Sequence, residues 1–228
     1  MLAMADATMG QAVGSSRDTG RGASWVAAIP GVVVVVAFVA SIFAVNTPSD
    51  DATNKEWLNF FADRGHRVGI LIGGYLLIVC GIALVVFLTR LYARVRAAAA
   101  TEIRDPLPLV LAAVAGALIA VGGLTEATIP GGTVFSVTPI PTDADILRLT
   151  VDMGFVLSGV GGMFVAAAAI FTIIRHAQRS GYFGRALTIF GYVACVAGIA
   201  GAAFFPIGIV FIWVLTISVV LARRPALA

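Results

Sequence analysis

The sequence predicts an all-α fold: an integral membrane bundle of six transmembrane helices. Three observations predict it. Sixty per cent of the 228 residues are hydrophobic, 12% are charged and the mean hydropathy is +1.00, so the bilayer is expected to be the main solvent. Polar segments divide the chain into five long apolar runs. Arginine is concentrated in alternate polar segments, which is the pattern that orients membrane helices.

Each of the first four apolar runs has the length of about 20 residues that a helix needs to cross a hydrocarbon core about 30 Å thick. The fifth run, residues 186–222, has no charged residue and would be about 55 Å long as a single helix. Pro206 interrupts it near the middle and suits the first turn of a new helix. We therefore predict two short spans there. The six predicted spans are residues 25–45, 68–89, 107–128, 149–174, 186–204 and 206–222.

The polar segments predict which way the bundle is threaded. Residues 1–24 are polar and small, and we expect a disordered tail; residues 223–228 form a short second tail outside the membrane domain, residues 25–222. Six spans put both tails on one side with the 90–106 and 175–185 loops. That side holds 11 of the 15 basic residues. The positive-inside rule therefore predicts an inner-membrane protein with both termini in the cytoplasm, where the arginines contact anionic lipid headgroups.

The segment SDDATNKEWLNFFADRG, between the first two spans, predicts a short amphipathic helix. Thr53 and Glu56 have the spacing of a capping box. Trp57, Phe60 and Phe61 fall on one face of that helix. We expect the helix to lie in the outer membrane interface with its aromatic face towards lipid. A lid over an outward-facing pocket is the alternative.

Small residues at four-residue spacing predict close helix packing. They are Gly69 and Gly73 in the second span and Gly154, Ser158 and Gly162 in the fourth. In lipid, small residues let helix backbones approach closely. We expect these faces to pack within the bundle; a homo-oligomer or a partner membrane protein is the alternative.

Five polar residues at the outer ends of the spans form the candidate site: Glu126, Asp152, Arg148, His66 and Arg67. Carboxylates near lipid are costly unless they are paired or hydrated, and they are often functional. A carboxyl that takes up a proton would be the functional interpretation. Glu126 lies about 12 Å from the centre of its predicted span. We therefore favour the other interpretation, in which the five residues pair at the water interface and Glu126 marks the membrane boundary.

The sequence has no recognisable catalytic or metal-binding motif. His66 and His176 fall on opposite sides of the predicted bundle, so they cannot bind one metal or haem together. Cys80 and Cys195 each lie inside an apolar run and predict buried thiols. The net charge of +3 is small and argues against nucleic-acid binding. We therefore assign no catalytic residue, no metal and no cofactor.

The layout of the chain resembles that of small bacterial multi-pass proteins classified as domains of unknown function. The similar features are an arginine-flanked first span, the segment NKEWLNFFADRGHRVG and the later segment RSGYFGRALTIFGYVACVAG. The resemblance extends from about residue 21 onward. It implies a membrane protein of six or seven helices and transfers no catalytic residue.

Three functional classes follow from these features. We expect a non-catalytic protein that binds a partner protein or a lipophilic small molecule. The second class is a small proton-coupled permease that uses Glu126, Asp152 and Arg148. The third is a membrane enzyme with its site beneath the helix that carries Trp57.

Overall fold

The computed structural model describes residues 19–49, 51–99, 103–136, 138–200 and 207–223, and every regular element within them is a helix. The helices are α1 (Thr19–Val45), α2 (Asn54–Ala62), α3 (Arg64–Ala97), α4 (Leu107–Phe135), α5 (Ala144–Phe155), α6 (Met163–Arg179), α7 (Arg185–Ile199) and α8 (Ile207–Arg223). A π-helical segment, Val156–Gly162, joins α5 to α6 in one continuous rod. The predicted all-α class is confirmed.

Four helices are long and apolar enough to cross a membrane: Val26–Val45 within α1, Arg64–Ala97, Leu107–Phe135 and the rod Ala144–Arg179. The other two apolar helices are shorter. α7 has 15 residues and α8 has 17, so they are about 22 and 26 Å long. The break predicted at Pro206 lies outside the described residues, as do residues 1–18 and 224–228 of the predicted tails.

The helices extend beyond the predicted spans because polar residues continue or cap them. α1 begins at Thr19, within the segment predicted to be a disordered tail. α3 begins at Arg64, since Oδ1 of Asp63 accepts hydrogen bonds from the backbone N–H groups of Gly65 and His66 at 2.5 and 3.3 Å. α4 continues through Pro130 to its end at Phe135 rather than ending at residue 128.

Close glycine contacts show that α3 and α4 run antiparallel. Gly74 of α3 lies against Gly123 of α4, and Gly81 lies against Gly116. A Cβ atom at Gly123 would lie 2.5 Å from the carbonyl oxygen of Gly74. Side chains larger than hydrogen would therefore force these two backbones apart, which explains why glycine is found at this crossing.

The remaining helices complete an up-and-down bundle. Ile174 of α6 lies against Gly191 of α7, and Ala167 lies against Gly198 further along, so these helices are antiparallel. α8 then returns beside α1, where the rings of Phe38 and Phe211 have centroids 4.9 Å apart. The beginning of α1 and the end of α8 therefore lie at one end of the bundle, together with the end of α3 and the start of α4.

The side chains are distributed as expected for a bundle surrounded by lipid. Phe87 and Trp213 are fully buried and meet edge to face, with ring centroids 6.4 Å apart. Val36, Ile82 and Val196 point outward and are 61%, 60% and 67% exposed. A soluble protein rarely exposes so much contiguous apolar surface, so the outer surface is suited to contact with acyl chains.

Candidate functional site

The short helix α2 forms where the sequence predicts it, between α1 and α3. Its capping box is complete: the backbone N–H of Glu56 donates to Oγ1 of Thr53, and the backbone N–H of Thr53 donates to the Glu56 carboxylate at 2.6 Å. The hydrogen bonds that the backbone N–H and the hydroxyl of Thr53 donate to the Glu56 carboxylate lower the pKa of Glu56. Local residues therefore determine where α2 begins.

The aromatic face of α2 packs against the protein and not, as predicted, against lipid. Trp57 and Phe61 are 4% and 1% exposed and belong to a small buried cluster with Ile70 and Leu147. Phe60 is half-buried at the edge of this cluster. The physical cause is that α5 begins before its predicted span, so that Leu147 joins Ile70 of α3 in an apolar surface beneath α2.

Arg148 connects α5 to α2. Its guanidinium donates to Oδ1 of Asn54 at 2.7 Å and to the carbonyl oxygen of Ala52, and it lies 5.7 Å from the centroid of the Trp57 ring. It also forms an ion pair with Asp145 at 3.3 Å. These contacts direct Arg148 away from Asp152, so the predicted pair along one helix face does not form.

His66 and Arg67 close the other end of α2. Nη1 of Arg67 donates to the carbonyl oxygens of Phe61 and Ala62. Nδ1 of His66 lies 3.2 Å from the carbonyl oxygen of Phe60, and the two rings stack with centroids 4.1 Å apart. Both side chains therefore satisfy carbonyl groups at the end of a helix, which otherwise lack partners.

Glu126 is separate from these residues and lies inside the bundle. It is 6% exposed. Its Cγ and carboxyl carbon lie against Gly154 of α5. Among the described residues, the Glu126 carboxyl has no hydrogen-bond or ion-pair partner. The Asp152 carboxylate likewise has no hydrogen-bond or ion-pair partner among the described residues, but it is exposed.

The position of Glu126 along α4 follows from the bounds of that helix. The centre of Leu107–Phe135 is Val121, so Glu126 lies about 7.5 Å from the centre of the helix. The shorter span predicted from sequence placed it about 12 Å away. An ionised carboxylate buried inside the bundle costs several kcal/mol unless a cation or water reaches it. The position is therefore suited to binding a proton or a cation.

The π-helical segment packs against α4 close to Glu126. A Cβ atom at Gly122, one turn before Glu126, would lie 2.6 Å from the carbonyl oxygen of Gly154 and 2.7 Å from the backbone nitrogen of Ser158. The hydroxyl of Ser158 donates to the carbonyl oxygen of Gly154 at 2.8 Å. Short π-helical segments often mark functional sites. Gly154, Ser158 and Gly162 thus serve contacts within this chain, facing α4.

The other small-residue pair serves a different contact. Gly69 and Gly73 lie against the end of α1, and a Cβ atom at Gly69 would lie 2.6 Å from the carbonyl oxygen of Ala44. All five predicted packing residues are therefore at helix crossings inside the chain.

An apolar groove of about 510 Å³ opens on the outer surface between α7 and α8. It is lined by Ile189, Tyr192, Val193, Val196, Ala197, Ala200 and Ile209. The hydroxyl of Tyr192 donates to Oε1 of Gln178 at 2.9 Å. That hydrogen bond satisfies the polar end of Tyr192, which leaves the ring to line the groove.

Sequence reasoning missed a polar pair at the arginine-rich end of the bundle. Nε2 of His176 lies 2.9 Å from Oδ2 of Asp105. The backbone N–H of Leu107 and the hydrogen bond with His176 lower the pKa of Asp105. The two residues are 71 positions apart in sequence, and no local pattern connects them. The one feature of the sequence that relates Asp105 to His176 is that each lies in an arginine-rich segment on the same predicted side of the bundle.

Groups of three or more histidine, cysteine, aspartate or glutamate side chains that could hold a metal ion are absent from the residues described. The chain also has no match among protein-family models, curated proteins or solved structures.

Proposed function

We propose that this protein is a six-span protein of the inner membrane, with both termini in the cytoplasm, and that it binds a lipophilic small molecule without catalysing a reaction. The observation that carries this proposal is the apolar groove between α7 and α8. Its volume of about 510 Å³ falls in the range of 300–1,000 Å³ that is typical of small-molecule sites. The groove opens on the apolar outer surface of the bundle, so a ligand would enter it from the surrounding lipid.

The antiparallel order of the helices supports six crossings. α7 and α8 are short, but both are apolar and pack side by side between α6 and α1. A bilayer can thin locally around a short helix at a modest cost per ångström. Arginine-rich and arginine-poor polar segments alternate along the chain, and this pattern supports cytoplasmic termini.

Photolabelling would test the groove. The purified full-length protein in lipid nanodiscs would be irradiated with a diazirine-bearing fatty acid, and labelled peptides would be identified by mass spectrometry. We expect preferential labelling of α7, reduced at least severalfold by Val193→Trp, because the indole fills the groove. Ile82→Trp is the matched control, since Ile82 is also exposed on the apolar surface but belongs to α3. Equal labelling of the wild type and both variants would contradict the proposal.

The burial of Glu126 favours a second candidate function, a small proton-coupled permease. Here Glu126 alone would carry the proton, since Arg148 and Asp152 lie apart from it. In proteoliposomes that contain a pH-sensitive dye, an imposed membrane potential should drive proton entry above that of empty liposomes. Glu126→Gln should abolish this flux, and Asp152→Asn should preserve it. Flux that persists in Glu126→Gln would exclude this function.

A further inference from the structure

A second cavity, at the arginine-rich end of the bundle, combines positive charge with apolar surface. It has a volume of about 390 Å³ and lies between the described residues that follow α3 and precede α4, Ala99 and residues 103–105, and the last turn of α6. Its lining residues are Ala99, Ile103, Arg104, Asp105, His176, Arg179 and Ser180. We propose that this cavity binds an anionic phosphate group, and that the proposed binding of a lipophilic ligand at α7 and α8 is independent of it.

Charge favours an anion in this cavity. Arg104 and Arg179 bring two permanent positive charges, and Asp105 is the one acidic residue among the described lining residues. Its carboxylate is occupied on both oxygens: Oδ1 accepts the backbone N–H of Leu107 at 3.0 Å, and Oδ2 faces His176 at 2.9 Å. Asp105 therefore orients the cavity wall and leaves Arg179, which has no partner in the described chain, to meet a ligand.

His176 is held in place from two sides. Besides the contact with Asp105, the centroid of its ring lies 5.8 Å from that of the Tyr92 ring. The hydroxyl of Tyr92 donates to the carbonyl oxygen of Asp105 at 2.5 Å. The wall that carries His176 is therefore assembled from α3, α6 and Asp105 before any ligand binds. Preorganisation of this kind reduces the entropy lost on binding.

The donor chemistry suits a phosphate group. Guanidinium groups form paired hydrogen bonds with phosphate oxygens. The single hydroxyl proton of Ser180 is donated to the carbonyl oxygen of Ala177 at 3.2 Å, so the arginines are the donors that would meet a ligand. Ala99 and Ile103 supply an apolar edge, and the cavity lies at the end of the bundle where the arginines mark the headgroup level. A phospholipid headgroup and a soluble phosphate share this chemistry. The test must therefore separate the two sources.

Native mass spectrometry of the full-length protein provides that test. The probes are phosphatidylglycerol, phosphatidylcholine and inorganic phosphate, each added to protein in detergent. We expect phosphatidylglycerol to be retained more strongly than phosphatidylcholine, and Arg179→Gln to weaken its apparent affinity about tenfold, the effect of losing one charge-assisted contact. Arg179→Lys should recover part of this loss, since lysine keeps the charge but not the paired geometry.

Arg175→Gln is the matched control. Arg175 is exposed on the same helix, one turn earlier, and does not line the cavity. We expect the affinity of the Arg175→Gln variant for phosphatidylglycerol to stay within twofold of the wild-type affinity. Equal weakening by Arg175→Gln and Arg179→Gln would overturn the proposal, because binding would then reflect the overall charge of this surface. Absence of binding by both phosphatidylglycerol and inorganic phosphate would also overturn it.

Inorganic phosphate distinguishes the source. If inorganic phosphate binds, Arg179→Gln weakens that binding, and phosphatidylglycerol does not bind, then the site takes a soluble phosphate. If phosphatidylglycerol binds with the same dependence on Arg179, the site takes a headgroup. Unchanged circular dichroism and thermal unfolding would show that each variant is folded. None of these results depends on photolabelling at α7, so the two proposals can fail separately.

Discussion

At Gly154 the absence of a side chain determines how closely α5 approaches α4. Its Cα faces the Glu126 side chain, and an added Cβ would lie 2.9 Å from the carbonyl oxygen of Gly122. A backbone oxygen cannot move without shifting its helix. Gly208 of α8 provides a contrast, because nothing lies within 4 Å of the position its Cβ would take.

We predict different effects for the same substitution at these two glycines. Gly154→Ala should lower the free energy of unfolding by about 1–3 kcal/mol, the usual cost of an overpacked contact. Gly208→Ala should leave it unchanged or raise it by up to about 1 kcal/mol, since alanine favours helix. Thermal or denaturant unfolding in detergent micelles would measure both. Equal stability of the two variants would contradict the close contact between α4 and α5.

At the scale of an element, local interactions determine where α2 begins, and tertiary interactions determine where it packs. Thr53 and Glu56 define its start through the capping box, whereas its position depends on apolar burial of Trp57 and Phe61. Arg148 adds hydrogen bonds from α5. A helix of nine residues is marginal in isolation, so its stability must come mainly from these tertiary contacts.

We therefore predict that Trp57→Ala releases α2 from the bundle. Deleting a buried indole typically costs about 3–5 kcal/mol, which is more than a short peripheral helix can lose. Limited trypsin digestion should then cleave at Lys55 much faster than in the wild type. Asn59→Ala is the control, because Asn59 is an exposed residue of the same helix; its cleavage rate should not change. A resistant Trp57→Ala variant would show that the buried cluster does not hold α2.

At the scale of the whole molecule, the bundle has two chemically different ends. The ends of α3, α6 and α8 and the start of α7 carry arginines, for example Arg94, Arg179, Arg185 and Arg223. The opposite end carries α2 and most of the acidic residues that the structure describes. Such asymmetry is the electrostatic basis of membrane orientation.

This asymmetry predicts the sidedness of two engineered cysteines. Gly184→Cys, between α6 and α7, should react with a membrane-impermeant maleimide only after cells are lysed. Thr142→Cys, between α4 and α5, should react in intact spheroplasts. Both positions are exposed, and the native Cys80 and Cys195 are buried, so background labelling should be low. Labelling of Gly184→Cys in intact spheroplasts would invert the proposed topology.

Composition and periodicity determined much of this protein without tertiary information. The apolar runs determined the all-α class and the four membrane-length helices, because a backbone in lipid must satisfy its hydrogen bonds within a helix. Thr53 and Glu56 likewise located α2, because a capping box depends only on residues three positions apart.

The tertiary structure decided the rest, which depends on contacts between distant positions. It buried Glu126 against Gly154, directed Arg148 to α2 instead of Asp152, and paired Asp105 with His176. Each outcome depends on how closely two helices approach and how far each extends beyond the apolar run. Hydropathy records only that a residue lies in a helix that prefers lipid, and it contains no information about which neighbour that residue will face.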